Sequence, residues 1–165
     1  MRDKSITSCV SFNTKFGYLT LEATQKGLSS VRFGVYEVQQ NSPCKTLNKA
    51  KEEILEYLTG KRRAFSSPLD MAHLTPMQFK LLRELKKVPY GKTVSYKELA
   101  TKAGTSPRAC GRLLASNPLP IIIPCHRVIK ANGDLGGYKG GLNWKRKLIK
   151  LEKKCMNNLT DKSRI

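Results

Sequence analysis

The sequence predicts an α+β fold: a small N-terminal mixed domain with an antiparallel sheet over residues 1–70, then a mostly helical C-terminal domain over residues 71–165 with a winged-helix-like helix-turn-helix. Three observations predict it. Apolar and polar residues alternate in the first stretch, with glycines between the runs. After Thr75 the apolar residues recur at helical spacing behind Ser-Pro and Thr-Pro start signals. The charge is also divided unevenly between the two halves. At 165 residues the chain is long enough to bury a core without disulfides.

In order along the chain, Val10 and Phe12 form the first alternating run, Leu19, Leu21 and Ala23 the second, and Val31, Phe33 and Val35 the third. Gly17 and Gly27 separate them, which predicts an antiparallel meander with one buried face. Leu47, Ala50, Ile54 and Leu58 follow at helical spacing, and Gly60 stops that helix. The next helix opens with Thr75 as N-cap and Pro76 at its first position, carries Leu81, Leu82, Leu85 and Val88, and ends at Pro89-Tyr90-Gly91. Ser95 caps a short helix through Ala103, Gly104-Thr105 turns the chain, and Ser106-Pro107 starts a helix that runs to Asn117-Pro118. Two short helices joined by a tight glycine-containing turn form a helix-turn-helix. A last helix begins near Leu142, with Leu148 and Leu151 facing inward.

The formal charge is +19, from 31 Lys and Arg against 12 Asp and Glu. Residues 1–70 hold 11 basic and 7 acidic residues, whereas residues 71–165 hold 20 and 5. A net +15 on the second half attracts a polyanion such as DNA, RNA or an anionic membrane surface. Lysines that serve only solubility or heat stability are the plain alternative. The second half of the helix-turn-helix places Arg108 and Arg112 among small Ala109, Gly111 and Ala115, so its backbone can approach a groove while the arginines reach phosphates or bases. No charged start followed by an apolar run suggests a signal peptide, and the longest aliphatic run, Ile121-Ile122-Ile123, is far short of a bilayer span. Five cysteines in irregular spacing, with no Cys-x-x-Cys pair, fit a reducing compartment and no zinc site.

The most informative stretch is Leu119 through Ile129, where an apolar run ends at Pro124 and delivers Cys125-His126-Arg127. Pro124 keeps Ile123 out of the helical region, which predicts a thiol at the turn of an extended segment. A thiol of ordinary pKa is only about 3% thiolate at pH 7, so a nucleophilic Cys125 needs a base and a positive environment. His126 is the adjacent base and Glu152, near the buried side of the last helix, a carboxylate that can orient it. A core thiol, a structural imidazole and a helix salt bridge from Glu152 to Lys145 or Lys150 are the alternatives. Five glycines around Tyr138 and Lys139 in residues 132–141 make a loop suited to walling a pocket for a flat ligand, without the ending of a phosphate loop.

At these residues the chain resembles the O6-alkylguanine-DNA alkyltransferase family. Pro124-Cys125-His126-Arg127-Val128 is similar to its signature, with Asn117-Pro118 upstream, Gly136 through Leu142 downstream and Glu152 closing the register. Pro89-Tyr90-Gly91 and Val94 through Ala100 extend the likeness, which covers residues 75–153. Lys139 stands where serine is frequent in the family, and Arg112 where a second small residue is frequent.

The resemblance implies a DNA repair enzyme, a methylated-DNA–protein-cysteine S-methyltransferase. Such a protein flips O6-alkylguanine out of duplex DNA and transfers the alkyl group irreversibly to Cys125 in one turnover. His126 would take the thiol proton through a water, Glu152 would orient His126, and Tyr96 would protonate the departing guanine. Val128, Tyr138, Lys139, Gly140 and Lys145 would line or shape the guanine pocket. Arg108 would fill the gap left by the flipped nucleotide, with Ser95, Tyr96, Lys97, Ser106, Ala109, Gly111, Arg112 and Ala131 contacting DNA. Asn117 and Arg127 would support the site. No cofactor or metal is implied, the partner is double-stranded DNA carrying the lesion rather than a membrane, and a monomer is expected, cytoplasmic and nucleoid-associated in a prokaryote. A non-catalytic alkyltransferase-like binder would lack Cys125, a helix-turn-helix regulator would not need the Cys-His-Glu set, and a cysteine hydrolase would not need the arginine-bearing helix.

Overall fold

The computed structural model describes residues 8–35 and 44–162, so the N-terminal start, where the sequence shows no leader pattern, lies outside the described residues. The chain divides into two compact units, Met1–Leu74 and Thr75–Ile165.

The first unit is a three-stranded antiparallel sheet of β1 (Ser8–Thr14), β2 (Gly17–Ala23) and β3 (Leu28–Phe33), in that order, with helix α1 (Lys45–Leu58) packed on it. Val10 pairs with Leu21 and Leu21 with Val31, so the alternating residues share a face; Leu19, Leu21, Leu28 and Val31 are fully buried, as are Ile54 and Tyr57 of α1, which packs on the sheet. The third strand is shorter than the alternation predicts. It ends at Phe33: Gly34 still donates to the Tyr18 carbonyl but turns the chain with a left-handed φ, and Val35 beyond it is 63% exposed. Buried Glu53 on α1 accepts hydrogen bonds from the backbone and hydroxyl groups of Ser66 and Ser67, which ties down the segment leaving this unit.

The second unit contains helices α2 (Pro76–Leu85), α3 (Tyr96–Ala103), α4 (Pro107–Ala115) and α5 (Leu142–Lys162), with two short strands, β4 (Val94–Ser95) and β5 (Val128–Ile129), paired in parallel. Start signals read in the sequence act as caps: Thr75, Ser95 and Ser106 each accept a backbone N–H three residues on, and Ser95 with Glu98 completes a capping box. Gly104, at φ +73, closes α3 and begins the turn into α4. Two helix ends differ from expectation. α2 stops at Leu85, and Val88 is buried from a following turn rather than from the helix. α4 stops at Ala115, where the Ser116 hydroxyl bonds back to the Leu113 carbonyl. On α5, Leu148 is fully buried but Leu151 only half-buried.

The largest difference lies before the thiol. Residues 119–123 do not form an extended segment but a compact, wholly buried turn, with Ile121 at φ +74. A β-branched residue there costs on the order of 1–2 kcal/mol. Asn117 holds the turn in place: its Oδ1 accepts from the Leu119 N–H (3.0 Å) and its Nδ2 donates to the Ile123 carbonyl (3.1 Å). Backbone hydrogen bonds within a run of isoleucines cannot form a lone strand in the core, so the chain satisfies them through Asn117 and an Ile123-to-Leu119 bond of 2.8 Å.

Candidate active site

Cys125 opens a single 3-10 turn, Cys125–Arg127, between the Asn117-braced turn and β5. Pairing of Val94 with Val128 brings that turn alongside the start of α3, and α5 packs against it from the other direction in sequence. Three segments separated by dozens of residues therefore converge on one thiol.

His126 is completely buried and its Nε2 lies 2.8 Å from Glu152 Oε1. Arg127, also buried, donates to the same carboxylate through Nε (3.0 Å to Oε2) and Nη2 (2.8 Å to Oε1), and through Nη1 to the Val88 carbonyl (2.7 Å). The Gly91 N–H completes the set at 2.9 Å from Glu152 Oε2. Burial alone would raise the Glu152 carboxyl, but the hydrogen bonds and charges of His126 and Arg127 outweigh it and hold the group at about 2. A carboxylate only accepts, so the hydrogen on Nε2 belongs to the imidazole and Nδ1 is the basic nitrogen. Burial pulls the imidazolium down against the pull of Glu152, which keeps His126 neutral and able to take a proton.

The thiol itself is buried, with 6% of the residue exposed, and burial pushes its pKa up. Four influences oppose that: the Asn117 side chain and the backbone N–H of Cys125 hydrogen-bond to the sulfur, and the ammonium groups of Lys145 and Lys139 attract its charged form. Cys110 on α4 lacks such helpers and is pushed up to about 11 by burial alone, as expected of a core thiol. Position, rather than burial, separates the two.

Beside Cys125 lies a cavity of about 420 Å³, walled by Tyr96 of α3, Gly111, Leu114 and Ala115 of α4, and Gly136 through Lys139 of the glycine-rich loop. Gly136, at φ +70, lies so close to Tyr96 that an added Cβ would stand 2.6 Å from the phenol oxygen. Burial and the nearby thiols raise the Tyr96 phenol, so it stays protonated, while the Gly137 N–H bonds to its oxygen. Lys139 reaches back to the Asn117 carbonyl at 3.5 Å.

Not every expected lining residue faces the cavity. Val128 is fully buried in β5, and Gly140 is not among the lining residues. Lys145 is fully buried beneath the loop and donates to the carbonyls of Val128, Leu135 and Gly137, so it holds the wall without forming its surface. Burial lowers its pKa to about 8, against the opposing pull of Cys125. Nothing in the spacing points to Lys130, which lines the cavity, and the Gly91 N–H on Glu152 was signalled only by the Pro89-Tyr90-Gly91 likeness. Lys97, Ser106, Arg108, Arg112 and Ala131 are exposed; Ser95, Ala109 and Gly111 are half-buried. Among the described residues no group of three His, Cys, Asp or Glu could hold a metal, and no helix is long and apolar enough to cross a membrane.

Fold and site together describe an α+β chain with a helix-turn-helix whose second helix walls a cavity containing a hydrogen-bonded, buried thiol. Two family models match it in sequence order: the 6-O-methylguanine DNA methyltransferase ribonuclease-like domain over residues 9–71, and the DNA-binding domain of the same family over residues 76–154. A methylated-DNA–protein-cysteine methyltransferase of Methanothermobacter thermautotrophicus is 39% identical over 68% of this chain and 64% of its own length. That of Saccharolobus islandicus is 34% identical over 86% of this chain and 92% of its own. The crystal structure of Mycobacterium tuberculosis OGT in complex with DNA superposes with a TM-score of 0.80 at 33% identity, covering 90% of this chain and 94% of that one. The chain belongs to the 6-O-methylguanine DNA methyltransferase family.

Proposed function

We propose that this protein repairs O6-alkylguanine in duplex DNA by moving the alkyl group onto Cys125, once per molecule. The observation that carries the reading is the Cys125 thiol in a cavity walled by α4, with His126 and Glu152 hydrogen-bonded behind it. Guanine O6 is paired inside a duplex, so a buried thiol meets it only when the nucleotide is extruded. Exposed Arg108, on the first turn of α4, is suited to fill the space left in the stack, and Lys97, Ser106 and Arg112 to hold phosphates beside it. The N-terminal domain, 1–70, supports this as a separate folding unit, and the chemistry belongs to 71–165.

In the reaction His126 Nδ1, relayed by a water, takes the thiol proton while Glu152 stabilises the imidazolium. The sulfur lone pair forms the S–C bond to the alkyl carbon as the C–O6 bond breaks, leaving its electrons on the guanine. Tyr96 returns a proton to the base, which departs as ordinary guanine. Burial keeps the thiol protonated at rest, so its nucleophile exists only when the base acts. The thioether product has no leaving group that water can displace, so one molecule acts once and no cofactor is needed. A monomer working on DNA in the cytoplasm fits this chemistry.

The test is mass spectrometry after incubation with O6-methylguanine duplex. The expected result is one added methylene mass on Cys125, at most one per protein. Repeated turnover, or an adduct that persists in Cys125→Ala, would reject the mechanism.

A further inference from the structure

Most of the positive charge of the second unit lies outside its helix-turn-helix. α5 carries Lys145, Arg146, Lys147, Lys150, Lys153, Lys154 and Lys162 against Glu152 and Asp161, and Glu152 is turned inward onto His126 and Arg127. Arg146, Lys150, Lys153 and Lys154 are exposed and line one shallow groove of about 520 Å³ together with Asn157 and Asn158. Their spacing places them on a single helix face. Among the described residues none of the four makes an ion pair. Lys150 has like-charged neighbours three or four residues away on both sides, and each such pair destabilises a helix. A heat-stability network interleaves opposite signs; this face has only one.

The groove is not the thiol cavity. Leu135 lines the groove, whereas Gly136 through Lys139 line the cavity beside α4, so the glycine-rich loop stands between them. From Arg146 to Lys154 the helix rises about 12 Å, comparable to the axial rise of three or four base pairs of a duplex. Lysine, arginine and asparagine on an open, shallow surface suit phosphates rather than base edges.

We propose that this face of α5 is a second DNA-binding surface, which takes the phosphate backbone of a duplex other than the one on α4. Its choice of DNA as the polyanion rests on the proposed function; the surface itself does not. One protein would then hold two DNA segments, with binding at α5 independent of sequence and of damage.

Sedimentation velocity of the full-length protein with excess short undamaged duplex reads the number of duplexes per protein. At low salt the protein is expected to carry two duplexes, and K150Q/K153Q/K154Q, all exposed positions, only one. The same variant is expected to keep its rate with free O6-benzylguanine. Occupancy of the second site should fall with salt, the log–log slope dropping by about 0.9 for each phosphate contact removed. R108A/R112A should lose the other duplex and keep the one on α5; if it keeps both, the reading of α4 fails and this proposal stands. Saturation at one duplex would overturn the proposal. So would a triple variant that retains both, or one that loses all DNA while its circular dichroism is unchanged, because the face would then belong to a single footprint. Preference for phosphatidylserine vesicles over duplex, abolished in the triple variant, would reassign the surface to membranes and equally overturn it.

Discussion

Glu152→Gln separates the two tasks of that carboxylate, anchoring and orienting. In the folded chain it accepts from His126, Arg127 and the Gly91 N–H, and is held at about 2 against an ordinary 4.5. That difference corresponds to about 3 kcal/mol of stability at neutral pH. It is close to the 3–5 kcal/mol typical of a buried ion pair that loses one partner. The sign follows from the lowered value. The contribution is fully present above about pH 4.5, and is lost as pH falls through about 2, where the folded carboxylate is finally protonated. The gap between the parent and Glu152→Gln should therefore be about 3 kcal/mol at pH 7 and roughly half of that near pH 3. Trp144, the one tryptophan of the chain, lies about two turns before Glu152 on α5, so its fluorescence during urea unfolding reports on this unit. In the transfer assay a neutral amide can still accept from Nε2 but no longer stabilises the imidazolium by charge, and reaction with free O6-benzylguanine should slow by about 10²–10⁴. A gap below about 1 kcal/mol, or one that stays constant between pH 7 and pH 3, would refute the carboxylate as anchor. An unchanged transfer rate would refute it as orienter.

Two further substitutions test the surroundings. Arg108→Ala should slow repair of duplex DNA by roughly tenfold or more and leave reaction with free O6-benzylguanine unchanged, since only the duplex requires a nucleotide to be flipped; equal losses on both substrates would remove Arg108 from that role. Gly136→Ala places a Cβ 2.6 Å from the Tyr96 phenol oxygen at a backbone φ of +70. The left-handed conformation alone costs about 1–2 kcal/mol, and neither the ring nor the braced loop can give easily. Lower stability in urea together with slowed transfer is expected; parent-like values for both would mean that the loop does not press on Tyr96.

The helices of the second unit were largely legible because their signals are local. Thr75, Ser95 and Ser106 cap helices within three residues of themselves, and Gly104 ends one by its own backbone conformation. The meander was legible for the same reason, since alternation and a glycine between strands act at short range. Local signals failed where a distant partner decides. The isoleucine run reads as extended in isolation, yet Asn117 folds it into a turn and forces Ile121 to a positive φ. Lys145 lies on the Leu148 side of α5, but which groups hold its ammonium was not legible locally: the carbonyls of Val128 in β5 and of Leu135 and Gly137 in the loop do so.

The same division holds for the charge and the chemistry. By itself the sequence determined the element order, the caps, the family likeness carried by Pro124 through Val128, and the concentration of positive charge in residues 71–165. Only the tertiary structure decided which acid meets which base. Glu152 had lysines within reach on its own helix, but it faces His126 and Arg127, 26 and 25 residues away, with Gly91 behind it. Burial explains the choice: a carboxylate out of water needs several fixed donors at once, which that packed turn supplies, whereas a lysine on the exposed face of α5 remains hydrated.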